Sequence, residues 1–544
     1  MPTITCSHKD LQNLVRRQLP EAKLRELLQS AKAELEQIHG DELSISCGDT
    51  NLPYLWSVEG LARFLRGILG LQVGITELKT EKQQYNVLVD PSVNIVRPYI
   101  ACFVAKGPAL TEELLIQLIQ IQEKLSESFG RKRSKVSIGL YPCEKIQFPV
   151  IYKAVDPESV KFIPLEGRTE QTLSQILKTH PKGMQYNHIL TSAKRYPVLT
   201  DSAKQVLSFP PIINSANTGM LKPGVTEIFF DATGTDQASV ELVASIVANA
   251  LADRKYKIHS CMIKYGRQTV LCPETKSWKW KFNEKSIEKI LGIQLSKQKI
   301  HELLQKAGYD YKPPFVFVPS YRKDILHDVD IVEDIIIMYG YTQINSKPLT
   351  TLTIGKPLAD KKLLNNTRLF LAGLGFQECM SAMLSNKELL SDKMQLQDKT
   401  IVEIENPVSG LYDVLRNWLT PLLLDVLSKN KHVSSPQRVF EQGLVVRKEG
   451  GIVEENRVAG VVSHASTDYT EIRKDVDFLL RKLSKQYTLI EEDYTWLIPG
   501  RSAKIIVNQI ECGLLGEVHP EVLKRFGIEN PVSCFEINLS KINS

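Results

Sequence analysis

The stretch Asp324-Ile-Leu-His-Asp328-Val-Asp330-Ile-Val-Glu333-Asp334 crowds five carboxylates into eleven residues ahead of an apolar run. In a helix Asp330, Glu333 and Asp334 stand at i, i+3 and i+4 and share one face, leaving Val329, Val332 and Ile336 free to face a core. Like charges at these spacings cost roughly 0.2–0.5 kcal/mol per pair. A helix N-terminus returns roughly 0.3–1 kcal/mol per acid, so a first-turn position alone offsets the repulsion. Two chemistries fit: a solvated first turn, or a site for a hard cation, since Mg2+ takes oxygen ligands and commonly uses one or two carboxylates with water. Spacing leaves both open.

A second group is quieter. Ser208 stands just ahead of Pro210-Pro211, and Asp231 and Thr233 sit in Asp231-Ala-Thr-Gly-Thr235. By type these residues build turns, through side-chain hydrogen bonds to nearby backbone. Arg131, Lys132, Arg133 and Lys135 form the densest basic run, either a solvated loop or a phosphate contact. Pro499-Gly-Arg501 reads as a turn with an exposed arginine. Phosphate-loop, dinucleotide, nucleophile-elbow and His-Glu-x-x-His signatures are missing, so the common self-contained chemistries lose weight.

A chain of 544 residues exceeds the roughly 250–300 that one core serves, so about three or four domains are expected. The 43% hydrophobic and 24% charged contents are those of a folded chain, and a net charge of +6 does not by itself call for nucleic acid. Nine cysteines, odd in number and without a Cys-x-x-Cys pair, argue against a disulfide framework and against structural zinc. The longest apolar runs fall short of the roughly 20 residues that cross a bilayer, and 1–18 lacks a signal-peptide core. An intracellular protein with no membrane partner is expected.

Four segments position these residues. Residues 1–85 read as a small α/β unit, with helices over 10–17 and 21–38, a strand over 43–47, a turn over 49–53 and a helix from Trp56 that Ser57 caps. Residues 86–265 alternate strands (95–104, 136–139, 150–154, 226–231) with helices (112–127, 238–252) in a larger mixed α/β domain. Residues 270–345 form a small helical block: helices over 283–291 and 296–307, a strand over 315–318, and the acidic helix over 328–339. Residues 346–544 give long helices (356–372, 411–428) and then strands (437–446, 457–463, 503–507, 534–537), a sheet with helices. The whole is an α+β multidomain protein.

Ser320-Tyr-Arg-Lys-Asp324 running on to Asp334, with Tyr339-Gly-Tyr341, resembles the signature of the phenylalanyl-tRNA synthetase β subunit of archaeal and eukaryotic type. Motifs in the family's order carry the resemblance over nearly the whole chain: Leu55-Trp-Ser-Val-Glu-Gly60, Arg97-Pro-Tyr-Ile-Ala101, Thr179-His-Pro-Lys-Gly-Met184, Tyr196-Pro-Val-Leu199, Ser208-Phe-Pro-Pro-Ile-Ile-Asn-Ser215, Asn406-Pro407, Arg438-Val-Phe-Glu441 and Gly513-Leu-Leu-Gly-Glu-Val-His-Pro520.

The resemblance implies a cytoplasmic α2β2 heterotetramer whose α subunit joins phenylalanine to tRNA(Phe) with ATP and contains the aminoacylation centre. Asp324, Asp330, Glu333 and Asp334 match a Mg2+ site shared with α. The second segment matches an editing domain that hydrolyses tyrosyl-tRNA(Phe), with Leu199, Ser208, Asp231 and Thr233 at editing positions. Such a step is needed because an apolar pocket rejects an added hydroxyl only about a hundredfold. The third segment is implied to be winged-helix-like and the fourth a degenerate, non-catalytic class II synthetase fold, which agrees with the lack of a Gly-x-Gly-x-Arg stretch near its end. One departure is Leu52-Pro-Tyr-Leu55, where many relatives carry Arg-Pro-Asp-Leu; it removes the charges a polar contact there would use. The alternatives are a non-editing scaffold or nucleic-acid-binding subunit, and a Mg2+-dependent hydrolase working through the acidic cluster.

Overall fold

Alternation sets the first sheet. Ile4 and Cys6, Leu43 and Ile45, and Ala33 and Leu35 point inward from three antiparallel strands, Thr3–Ser7, Glu42–Cys47 and Ala33–His39. The structure, a computed structural model, describes residues 2–48 and 51–543, so Asp49 and Thr50 of the expected turn lie outside the described residues. The helix expected over 21–38 ends at Ser30. Lys32 takes a left-handed φ of 54°, and the chain returns as a strand because Ala33 and Leu35 are buried at a period of two. Ser57 caps the helix Val58–Ile68 as expected, accepting from Gly60 N at 3.1 Å.

The second sheet has ten strands. Its path runs Ile213–Asn214, Val206–Phe209, Tyr196–Thr200, Val150–Val155, Thr80–Val89, Lys257–Tyr265, Tyr99–Lys106, Glu227–Gly234, Val136–Pro142, with Gln268–Cys272 pairing to Lys257–Tyr265. The strand expected from residue 95 starts at Tyr99. Ahead of it a tight turn, Pro91–Ile95, is capped by Asp90, and proline at 91 and 98 supplies no N–H for a ladder. The helix Gln237–Asp253, capped by Asp236, buries Val240, Val243, Val247 and Leu251 in the same core.

In the small block, strands Trp278–Lys281, Phe315–Val318 and Asp310–Lys312 pair antiparallel, where the sequence had offered one strand. Helices Lys285–Leu291, Lys297–Lys306 and Asp328–Tyr339 pack Ile287, Leu303, Leu304, Ile331 and Ile335 against them. Gly67 of the Val58–Ile68 helix lies so close to this block that a Cβ there would stand 2.3 Å from Lys306 O.

Residues 348–544 form a separate compact unit. Seven strands run in the order Gln377–Glu378, Gln437–Lys448, Ile452–Ser463, Val532–Asn538, Ile510–Val518, Leu497–Val507, Tyr487–Glu491, antiparallel except for the first pair. Val458 and Val462 face one layer with helices Ala359–Gly373 and Tyr469–Lys482. Ala459 and Val461 face the other, with Thr420–Lys429 and Pro520–Phe526. The helix expected over 411–428 begins only at Thr420, after a short strand Val414–Leu415. Pro421 is tolerated in a first turn, not inside a helix. Among the described residues no helix is long and apolar enough to cross a membrane.

Candidate functional site

Both ends of the ten-stranded sheet line one cleft, with about 120 Å³ of free space. Gly139, Tyr141 and Asp231 come from one end, Ser208, Phe209 and residues 210–214 from the other. Register puts Asp231 opposite Gly139, and Ser208 opposite Leu199 and Asn214. A Cβ at position 139 would lie 2.1 Å from Tyr141 Oη and 2.3 Å from Asp231 Oδ1. Glycine therefore leaves room for the Tyr141 hydroxyl to donate to Asp231 Oδ1 at 2.6 Å. The same hydroxyl lies 3.5 Å from Asn214 Oδ1, which joins the two ends of the sheet.

Asp231 is only 2% exposed. Burial pushes its carboxyl up to about 7, although the Tyr141 donor and the Arg97 charge both pull it down. Burial likewise pushes the Tyr141 hydroxyl far above its usual range, and the neighbouring Asp231 adds to that. Ser208 Oγ is buried beside Tyr141 and makes no hydrogen bond of ordinary length and angle among the described residues. Leaving such a group unpaired costs roughly 1–3 kcal/mol. Ile138, Phe209, Ile212 and Ile213 line the sides, so the cleft has apolar walls and a polar floor with unused capacity for hydrogen bonds.

Leu199 and Thr233 do not reach the cleft. Leu199 is wholly buried in the core as the cross-strand neighbour of Ser208. Thr233 Oγ1 accepts from Arg97 Nε at 3.0 Å and sits 3.1 Å from Ser137 Oγ. Arg97, buried and pulled down by burial to about 10, also donates to Thr233 O and to the carbonyls of Arg133 and Ser134. Those bonds anchor a turn in which Arg131, Lys132 and Arg133 take φ of 50°, 50° and 66°, a conformation that costs L-residues roughly 1–2 kcal/mol each. Arg131 and Lys132 remain exposed, whereas Arg133 turns inward and donates to Ile212 O at 2.9 Å.

The four expected metal ligands line another cleft, together with Arg322 and Lys32, but each has a partner within the chain. Arg322 reaches Asp334 Oδ2 at 2.8 Å and Asp324 Oδ1 at 3.1 Å, and its guanidinium lies 5.2 Å and 5.1 Å from the Tyr54 and Tyr309 ring centres. Tyr309 also donates to Asp334. Asp330 Oδ2 accepts the backbone N–H groups of Leu326 and His327 at 2.7 and 2.8 Å, and Glu333 pairs with Lys32 at 3.0 Å. Among the described residues no three acidic, histidine or cysteine side chains converge on a point that could hold a metal ion. As arranged, a magnesium ion would have to displace these partners. Val329, expected to face the core, is 55% exposed; the buried stripe of the helix is Ile331, Val332, Ile335 and Ile336.

Tyr141, Arg97 and Lys182 were missed as site residues, whereas Arg133 belongs to the basic run read above as a solvated loop or a phosphate contact. Tyr141 was within reach, because the alternation that puts Gly139 on one face of its strand puts residue 141 there too.

Comparison with known proteins matches residues 280–341 to the tRNA synthetase B5 domain and residues 344–539 to the phenylalanyl tRNA synthetase beta chain CLM domain. The phenylalanine–tRNA ligase beta subunit of Thermococcus sibiricus is 35% identical over 551 residues, covering 99% of this chain and 98% of that one. That of Pyrococcus furiosus is 36% identical over 555 residues, covering 100% of both. The crystal structure of an N-terminal fragment of the phenylalanyl-tRNA synthetase beta subunit from Pyrococcus horikoshii aligns with a TM-score of 0.61 at 35% identity, covering 62% of this chain and all of that one.

Proposed function

Because the chain belongs to the phenylalanine–tRNA ligase β-subunit family, we propose that within the assembled ligase it hydrolyses tyrosine wrongly joined to tRNA(Phe), in the cleft floored by Asp231 and Ser208. It is a subunit of an aminoacyl-tRNA ligase, a role that implies an α partner and tRNA. The observation that carries the editing role is the polar floor between apolar walls. A phenol ring suits those walls, and its hydroxyl can donate to the Asp231 carboxylate and bond Ser208. Phenylalanine would leave Ser208 unpaired and offer Asp231 no donor beyond Tyr141. Sites built to bond a substrate hydroxyl reject analogues lacking it by roughly 10⁴–10⁵.

The reaction is water attack on the ester carbonyl, releasing free tyrosine and the terminal ribose hydroxyl. Asp231 and Ser208 bind and orient the side chain, while Leu199 and Thr233 brace the strands that carry them. No step is routed through a metal: a magnesium ion shared with α would need Asp330 and Glu333 released from their present partners. Arg322, already neutralising Asp324 and Asp334, argues against a metal-dependent hydrolase at that cluster.

The second unit serves assembly in this scheme, as a non-catalytic class II-like scaffold of a cytoplasmic α2β2 tetramer whose α subunit performs the ATP-dependent charging. Leu349, Leu352 and Ile354, each more than 90% exposed, supply apolar surface that a partner subunit would cover. The deciding experiment follows deacylation of pre-formed tyrosyl-tRNA(Phe) by the α–β complex, with phenylalanine-dependent ATP turnover as control. Rapid deacylation lost in Asp231→Ala with turnover intact is expected. Absence of deacylation in the unmodified complex would leave a scaffold and tRNA-binding subunit.

A further inference from the structure

The motif Thr179-His-Pro-Lys-Gly-Met184 has structural tasks for most of its residues. Thr179 Oγ1 donates to Gln175 O at 2.9 Å. His180 accepts from Lys182 N at 3.2 Å through Nδ1, and its Nε2 lies 3.1 Å from Leu165 O. Pro181 opens the short helix Pro181–Tyr186. Gly183 packs so tightly that a Cβ would stand 1.8 Å from Ile176 O.

The Lys182 side chain has no such task. It lines the same cleft as Asp231 and Ser208, and no hydrogen-bond or ion-pair partner for its ammonium is found among the described residues. The ammonium lies 6.0 Å from the centre of the Tyr186 ring. The Arg133 guanidinium lies 4.4 Å from that same ring, with its Nε buried and without a hydrogen bond. Glu127, 3.6 Å from Arg133 Nε, already accepts the Tyr186 hydroxyl, and Glu166, exposed on the cleft rim, has no ion-pair partner among the described residues. Two cations thus share one aromatic ring beside a site floored by a carboxyl group, an arrangement that favours an anion at the cleft wall.

We propose that Lys182, backed by Arg133, binds a phosphate of the 3′-terminal nucleotides of the acylated tRNA and so sets the ester over Asp231 and Ser208. The proposal rests on the editing role. The aminoacyl ester sits on the terminal ribose, whose own 5′-phosphate is the nearest anion, so a cation on the wall and a hydroxyl acceptor on the floor engage the two ends of one aminoacyl-nucleotide. Lys182 is a positioning residue in this scheme, acting on binding and not on the water.

The test uses the assembled ligase with Lys182→Ala, Lys182→Arg and Lys182→Glu. Loss of one charge-assisted contact at an open site should raise KM for tyrosyl-tRNA(Phe) deacylation about tenfold, with kcat within about twofold. The arginine variant should recover most of the loss and the glutamate variant should be worst. The logarithmic salt slope of kcat/KM should become shallower by about 0.7 in Lys182→Ala, the share of one single-strand phosphate. Tyrosyl adenosine, an ester without phosphate, should be hydrolysed equally by all four proteins. Affinity for the trinucleotide cytidylyl-cytidylyl-adenosine should fall about tenfold in Lys182→Ala and return in Lys182→Arg. Unchanged KM and trinucleotide affinity in Lys182→Ala, no trinucleotide binding by the unmodified ligase, or equal loss on tyrosyl adenosine would each overturn the proposal. Should the unmodified ligase deacylate nothing, the editing role falls, while the trinucleotide measurement still decides the fate of Lys182.

Discussion

Replacing Tyr141 with phenylalanine removes one oxygen and, with it, the donor that holds the Asp231 carboxylate at 2.6 Å. A hydrogen bond to a charged group contributes roughly 1.5–3 kcal/mol, and one pKa unit corresponds to about 1.4 kcal/mol. Losing the donor should therefore move Asp231 from about 7 upward by roughly one to two units. If the ionised carboxylate is what accepts the tyrosyl hydroxyl, 1/KM for tyrosyl-tRNA(Phe) deacylation rises through pH 7 in the unmodified ligase. In Tyr141→Phe the rise moves to about pH 8–9. At pH 7.5 about three quarters of the carboxylate is then ionised in the original protein and about a quarter or less in the variant, so the activities differ several-fold and converge near pH 10. The assay is steady-state deacylation across pH 6–10, with phenylalanyl-tRNA(Phe) as a second substrate. An inflection that stays near 7 in Tyr141→Phe would show that Asp231 ionisation does not control tyrosyl binding. A shift seen equally with the phenylalanyl ester would move Asp231 from the phenol to the ester.

Asp231 also sets a stability profile. Its folded pKa lies above the unfolded value, so its contribution is fully present below about pH 3.8 and is lost as pH rises towards 7, an upper-limit cost of about 4 kcal/mol. Asp231→Asn escapes that cost; hydrogen exchange in the strand Glu227–Gly234 should be slower than in the unmodified protein at pH 8 and nearly equal at pH 4. Faster exchange at pH 8 would contradict the burial penalty. Arg322→Met should destabilise the region around Asp324 and Asp334 by about 3–5 kcal/mol, since it leaves two buried carboxylates without their cation. Exchange over residues 320–334 should ignore chelator in the unmodified ligase and slow with added Mg2+ in the variant. Deprotection of the unmodified protein by chelator would show that a metal holds the cluster.

What the sequence revealed depended on the range of the forces. The aromatic and β-branched run Phe315–Val318 and the cap at Ser57 act within a few residues, and the elements they mark form where expected. The helix over 21–38 failed because Leu35 satisfies a helical spacing with Leu28 and a strand spacing with Ala33, and only pairing with Glu42–Cys47 selects the strand. Asp231 and Ser208 could be singled out from the family pattern, but not their relation. They share a cleft because the two ends of a ten-stranded sheet both line it, and no local pattern encodes that approach. Tyr141 and Lys182 were hidden for the same reason: each owes its role to a neighbour far along the chain.

The two carboxylate sites use nearly the same residue types, and the atoms left unpaired separate them. At the acidic helix, Arg322 donates directly to Asp324 and Asp334, the Tyr54 and Tyr309 rings flank the guanidinium, and Asp330 is taken up by backbone N–H groups. Oxygens already bonded and charges already neutralised make a brace between the first segment and the small block. Next to the cleft, Arg97 spends its donors on Thr233, Ser137 and the carbonyls of Arg133 and Ser134, so its charge reaches Asp231 without bonding it. That leaves Asp231 with a single side-chain bond, from Tyr141, a carboxyl pushed into the neutral range by burial, and a neighbouring serine without a hydrogen bond of ordinary geometry. Were Arg97 to donate to Asp231 directly, the acid would be locked as an ion and its acceptor capacity consumed, as at Arg322. Of the two sites, the cleft is therefore the one with hydrogen-bonding capacity to spare, because its buried polar groups have been left incomplete.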